Sequence, residues 1–236
     1  MRVLILMIAV VCLILTGCQV VSGSGNVVVE ERQVVGFDGV ALSGIGELTV
    51  IQADETSVVI EAEDNILPFI ETEVHQGVLH IGIKDGVAIR NSKPLKYTVT
   101  TPSISLLDVS GAGSISSEQI EADKLAIDVS GSGEIMLADI TAVSLAVVIS
   151  GNGEVLAQGE VDDQSITISG SGNYAAPNLV SNNAEVNVSG AGDALVWATD
   201  TLSVDISGSG KVAYQGEPQV NHSISGAGVV QQVAER

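Results

Sequence analysis

Leu107-Asp108-Val109-Ser110-Gly111-Ala112-Gly113 is the stretch that decides the fold, because the chain keeps returning to it. The tetrapeptide Ser-Gly-x-Gly starts at Ser110, Ser130, Ser150, Ser169, Ser189, Ser207 and Ser225, in steps of 20, 20, 19, 20, 18 and 18 residues. Its glycine pairs are Gly111 and Gly113, Gly131 and Gly133, Gly151 and Gly153, Gly170 and Gly172, Gly190 and Gly192, Gly208 and Gly210, and Gly226 and Gly228. An alternating run leads into each corner, as in Ile127-Asp128-Val129, Ile166-Thr167-Ile168 and Val204-Asp205-Ile206. A mostly apolar residue follows five positions after each serine: Ile115, Ile135, Val155, Tyr174, Ala194, Val212 and Val230. A near-fixed period of this size marks a stacked repeat.

The pattern predicts an all-β parallel β-helix. Alternate residues of a strand face opposite sides. One aliphatic stack therefore fills the interior while Asp108, Asp128, Thr167, Asn187 and Asp205 face water. Both glycines of a pair suit a corner whose backbone conformation is closed to other residues, and the serine hydroxyl is placed to satisfy backbone groups there. Rungs about 4.8 Å apart make a rod section about 30 Å long. Each coil buries its neighbour's apolar face, which no coil can do alone. An antiparallel sandwich fits less well, because hairpin sheets need two turns per repeat and the glycine signal comes once.

The core must be aliphatic: hydrophobic residues make up 45% of the 236 and aromatics only 3%. The formal charge is −20, from 9 Lys plus Arg against 29 Asp plus Glu. Such a surface repels nucleic acid, whose binding rests on basic residues. Like charge also discourages stacked strands from growing end to end.

Residues 1–18 read as an export signal. Arg2 is the positive start, and the apolar run Val3 to Leu15 is short for a bilayer span. Leu15-Thr16-Gly17-Cys18 resembles the bacterial lipoprotein lipobox, which implies cleavage before Cys18 and lipidation of Cys18. Gln19, in place of Asp, points by the same resemblance to the outer membrane. Cys12 leaves with the signal, so the mature chain has no disulfide and its stability must come from stacking. Residues 19–35 read as a tether, flexible at Ser22-Gly23-Ser24-Gly25.

Residues 36–103 hold strand-like runs without the 20-residue beat and read as an N-terminal β cap or subdomain; residues 104–236 are the repeat array. Ser43-Gly44-Ile45-Gly46 has the form of an early, degenerate repeat, and His75-Gln76-Gly77-Val78 of a tight turn between strands. Asp85 to Pro94 reads as a loop, with Lys84, Arg90, Lys93 and Lys96 in or beside it. The tail Val229 to Val233 either closes the last rung or leaves it as a contact surface.

Phe37-Asp38-Gly39-Val40, Asp64-Asn65-Ile66-Leu67-Pro68, Gly77-Val78-Leu79-His80-Ile81, the serial corners and Val212 to Pro218 together resemble the auto-transporter adhesin head GIN domain family, over residues 37–233. The resemblance implies a right-handed β-helix and a place in the cell envelope or at the surface. It implies no established biochemical activity.

Candidate chemistry is sparse. Stacked Glu134 and Glu154, or Asp108 and Asp128, could share a cation, but Ca²⁺ takes six or more oxygens and water would have to supply most. A polysaccharide lyase needs basic residues, and the array offers only Lys124, Lys211 and Arg236. A hydrolase needs a close carboxyl pair, and Asp162-Asp163 is the adjacent pair in the array. His75 and His80 can meet across a hairpin, and His222 stands where other rungs hold Val or Ile. Trp197 and Tyr214 could mark a small patch, though with Tyr174 they are too few for a sugar-stacking platform. The glycine pairs lack the Gly-x-Gly-x-x-Gly of a phosphate loop. The sequence thus predicts no catalytic residue, metal or cofactor. It predicts a membrane contact through a lipid at Cys18 and a protein or glycan partner, with an envelope carbohydrate-active or glycan-binding protein as the alternative.

Overall fold

The computed structural model describes residues 19–234. The export signal and Cys18 lie outside the described residues. The N-terminal half contains β1 (Gln19–Ser22), β2 (Val27–Arg32), β3 (Gly39–Gly44), β4 (Glu47–Gln52), β5 (Ser57–Glu63), β6 (Ile70–His75), β7 (Val78–Ile83), β8 (Val87–Arg90) and β9 (Lys96–Thr101). The rest contains β10 (Leu106–Gly111), β11 (Ser114–Ser117), β12 (Ile120–Gly131), β13 (Glu134–Gly151), β14 (Glu154–Gly170), β15 (Asn173–Gly190), β16 (Asp193–Gly208), β17 (Lys211–Gln215), β18 (Gln219–Gly226) and β19 (Val229–Gln232). One 3-10 turn spans Leu67–Phe69.

The fold is the expected parallel β-helix. Corner serines pair rung to rung, Ser110 with Ser130, Ser130 with Ser150, and so on to Ser207 with Ser225. The alternation of the sequence becomes interior columns running along the rod. One is Leu79, Val40, Leu107, Ile127, Val147, Ile166, Val186, Val204 and His222. Another is Ile81, Leu42, Val109, Val129, Ile149, Ile168, Val188, Ile206 and Ile224. The residues five after each serine make a third, from Ile115 to Val230. All but the last members of the first two columns are buried.

The glycines of a corner do different work. Gly131 has φ 103°, and a Cβ there would lie 2.7 Å from the carbonyl oxygen of Gly111 on the preceding rung. Gly133 is not in the left-handed region; a Cβ there would strike the Cγ1 of Val109, the inward residue of that preceding rung. The backbone groups of the corner are engaged with the next rung: Ser132 N–H donates to Gly111 O at 2.8 Å and Glu134 N–H to Gly113 O at 3.1 Å. This leaves the serines little backbone to serve. Ser110 Oγ donates instead to Ser43 Oγ at 3.1 Å.

Variation in repeat length falls away from the corners. The 19-residue step is absorbed where the β13–β14 register shifts between Leu137 and Ile140, at Gly159, whose φ is 126°. The 18-residue step from Ser189 to Ser207 is absorbed by shifts beside Val180 and Asn183.

The array starts before residue 104. Ser43 and Gly44 pair in register with Ser110 and Gly111, and β4 pairs with β11. The first coil continues through β7 on one side and β9 on the other. Beyond it the direction reverses: β6 pairs antiparallel with β7 through a turn at Gln76 (φ 53°) and Gly77 (φ 83°), and β5 pairs antiparallel with β9 and β2. Ile66, Leu67 and Ile70 are buried there.

Residues 19–35, expected as a tether, instead carry β1, which pairs in parallel with β8, and β2. The intervening Ser22-to-Asn26 stretch is fixed by side chains: Gly25 N–H donates to Glu63 at 2.6 Å, Ser24 Oγ to Asp64 at 2.5 Å, and Ser24 N–H to Asn65 at 2.9 Å. The Asp85-to-Pro94 loop likewise contains a strand, β8.

Candidate functional site

Outward-facing residues form ladders on the rod. Asp108 and Asp128 are paired neighbours, both half-buried. Burial pushes the Asp108 carboxyl up, the Asp128 charge adds to this, and His80 opposes it; burial alone pushes Asp128 up. Glu134 and Glu154 stack as expected, and Asn173 Nδ2 donates to Glu154 Oε1 at 2.7 Å. The other neighbour of Glu134 in this column is Ser114. Neither stack gains a third carboxylate, and among the described residues no three His, Cys, Asp or Glu converge to hold a metal ion.

Asp162 and Asp163 are exposed on β14. Their partners are amides of the next rung: Asn182 Nδ2 at 3.2 Å and Asn183 Nδ2 at 2.9 Å. Thr201 Oγ1 extends the ladder to Asn183 Oδ1 at 2.6 Å. A hydrolytic pair must face one substrate together; here each aspartate is exposed, is held by its own amide, and lines a different surface depression. His75 and His80 meet across the β6–β7 hairpin, with ring centroids 5.8 Å apart, and His75 Nε2 lies 2.9 Å from Glu73 Oε2.

Two polar clusters escape the sequence pattern. Glu63 is buried and accepts hydrogen bonds from Ser92 Oγ (2.6 Å), Gly25 N–H (2.6 Å) and Ser92 N–H (2.9 Å). The Ser92 hydroxyl, helped by the backbone donors, holds its carboxyl below the usual range. The second cluster is inside the rod. Tyr174 Oη donates to Gln164 Oε1 at 3.0 Å, Gln164 Nε2 to Ser181 Oγ at 2.7 Å, and Ser181 Oγ to the Trp197 carbonyl at 2.8 Å. Burial raises the Tyr174 phenol far above its ordinary value. Its signal in the sequence is Gln164 itself, which occupies a column otherwise filled by Leu125, Leu145, Ala184 and Leu202. With Tyr174 buried, Trp197 is half-buried, and Tyr214, also half-buried, packs against the core in the column of Val196.

A surface groove of about 890 Å³ runs where the N-terminal unit meets the array, lined by Asp38, Gln52, Glu121, Asp123, Lys124 and Asp162 among others. Gln52 closes the seam here: its Nε2 donates to the Pro102 and Glu121 carbonyls, and its Oε1 accepts from Glu121 N–H at 2.8 Å. The charged residues on its walls are mainly acidic, with Lys124 among them, and they are interspersed with apolar ones such as Ile104 and Val161.

At the far end, β19 continues the last rung by pairing with β17 and does not fold over it. Ile224 is 39% exposed, whereas its column neighbour Ile206 is 2% exposed. His222 ends the other column and is exposed. Gln215 Oε1, on the same terminal coil, is the one buried side-chain polar atom without a partner among the described residues.

Comparison with known proteins gives one family. The sequence model of the family described as "Putative auto-transporter adhesin, head GIN domain" matches residues 36–218. A crystal structure described as a "putative adhesin" from Bacteroides fragilis is similar at 26% identity and TM-score 0.86, covering 90% of this chain and 100% of that one. One described as a "Putative lipid binding protein" from Parabacteroides distasonis has 24% identity and TM-score 0.78, covering 91% and 100%. A "putative adhesin" from Parabacteroides merdae shares the fold at 18% identity and TM-score 0.74, covering 91% and 99%. No curated protein matches the chain.

Proposed function

The chain belongs to the auto-transporter adhesin head GIN domain family, and from that premise we propose a non-enzymatic, adhesin-like protein of the cell envelope, lipid-anchored at Cys18, whose rigid acidic rod presents a face or an end to a partner. One observation carries the reading. The residues that vary from rung to rung point outward in ladders and bond to one another, as Asp163, Asn183 and Thr201 do, while among the described residues no three His, Cys, Asp or Glu converge. Such a surface suits recognition spread over several rungs better than chemistry at a point. The resemblance to a structure described as a "putative adhesin" at 26% identity supports it. The lipobox Leu15-Thr16-Gly17-Cys18 supports the anchor and Gln19 the outer membrane.

Protease shaving of intact cells, with fractionation, tests both parts. The wild type should sediment with membranes and be shaved from outside, and Cys18→Ala should release the rod to the soluble fraction. Membrane-bound protein protected until the envelope is opened would end the surface-adhesion reading and redirect it to a periplasmic partner. A Cys18→Ala variant that stays in the membrane would remove the lipid anchor.

A further inference from the structure

The two ends of the rod are built differently. At the N-terminal end the first coil is covered by strands that run against it, β6 on β7 and β5 on β9, with β2 outside β5. Those covering strands carry Glu71 and Glu73 on β6 and Glu30 and Glu31 on β2. At the C-terminal end, β18 pairs with β16 and β19 with β17, and among the described residues nothing pairs with their other edges. That last rung leaves Ile224 39% and Val229 48% exposed, with Val220, His222 and Val230 beside them.

The rung is also uncharged. From Gln219 to Ala234 there is no Asp, Glu, Lys or Arg, in a chain whose formal charge is −20. Exposed strand edges are ordinarily blunted by charge, proline or a cover, and here the N-terminal edge has both charge and cover while the C-terminal edge, among the described residues, has neither.

From this asymmetry we infer that the β18–β19 edge docks a second copy of this chain, end to end across a two-fold axis. Elsewhere two copies repel each other through their acidic flanks; the neutral end is where they approach without that cost. A two-fold sets each β18 antiparallel to its mate, so that one strand's donors meet the other's acceptors, and Ile224 and Val220 of both chains complete the interrupted columns. Because the N-terminal end is covered, the contact is isologous and closes at two copies.

Light scattering on the full chain in detergent, over a range of concentrations, is the test. Protein mass per particle should rise from one chain to two and stop. Ile224→Lys buries an unpaired charge in the contact and should move the midpoint about tenfold or more to higher concentration. Asn221→Lys, at an exposed position that leaves the columns intact, should act in the same direction, and Ser130→Lys at mid-rod should not. Melting curves check folding, and Asn221→Lys decides the matter should Ile224→Lys melt early. A single chain at every concentration overturns the proposal, as does association indifferent to Asn221→Lys. Growth beyond two overturns the closure argument.

Discussion

Asp108 and Glu63 show how differently a carboxylate fares on this scaffold. Asp108, half-buried beside Asp128, is pushed up, so its share of stability is full below the unfolded value and lost as pH rises through the folded one. Glu63 and Asp64 are held down, chiefly by Ser92 Oγ and by Asn26 Nδ2, so their share is present above the unfolded value and lost as pH falls through the folded one. Thermal stability should therefore rise as pH is lowered from neutral toward the ordinary carboxylate range and fall below it. Asp108→Asn should raise Tm at pH 7 and flatten the rise; a lower Tm at pH 7 would refute the sign. Inside the rod, Tyr174→Phe leaves Gln164 Oε1 without its donor and should cost about 1–3 kcal/mol in denaturant unfolding. Adding Gln164→Leu, the residue of the neighbouring Leu145 rung, should recover much of that, and no recovery would place the cost elsewhere. Alternation alone told which residues point inward. It did not reveal the Glu63 anchor, because the partners Gly25 and Ser92 stand 38 and 29 residues away and share no period with it.

At the scale of the element, the corner was legible because glycine leaves a mark whatever its reason for being there. The reasons became visible only once the rungs were stacked. Gly131 is required by φ and by the backbone of Gly111, Gly133 by the side chain of Val109. Gly131→Ala and Gly133→Ala should each destabilise, by about 1–3 kcal/mol or more. They should differ in rescue: Val109→Ala makes room for a methyl at position 133, while no side-chain change relieves position 131. A double-mutant cycle should give a coupling of at least about 0.5 kcal/mol between 109 and 133, and near zero between 109 and 131. Equal coupling at both would mean that the two glycines serve one purpose. The strands of residues 19–32 were hidden because Ser-Gly-Ser-Gly reads as a linker wherever its partners are side chains distant in sequence.

For the molecule as a whole, the residue-for-residue register from Ser110 to Ser130 to Ser150 makes a coil a removable unit. Deleting residues 131–150 joins Ser130 to Gly151 and preserves every column, so a shorter rod should fold cooperatively with a lower Tm, as in other nearest-neighbour arrays. Deleting 131–140 breaks the columns and should abolish the strand signal in circular dichroism. A folded ten-residue deletion would show that register is not what holds the rod. The N-terminal unit belongs to this same stack, since β3 and β4 sit directly on β10 and β11. The early weld of β1 to β8 has a mechanical meaning. Gln19 is bonded to the Gly86 carbonyl at 2.8 Å, and the proposed anchor is the residue just before it. If the proposed lipid is on Cys18, a pull along β1 would load its bonds to β8 together, in shear, and a force at the tip of the rod would pass to the lipid through that two-stranded sheet.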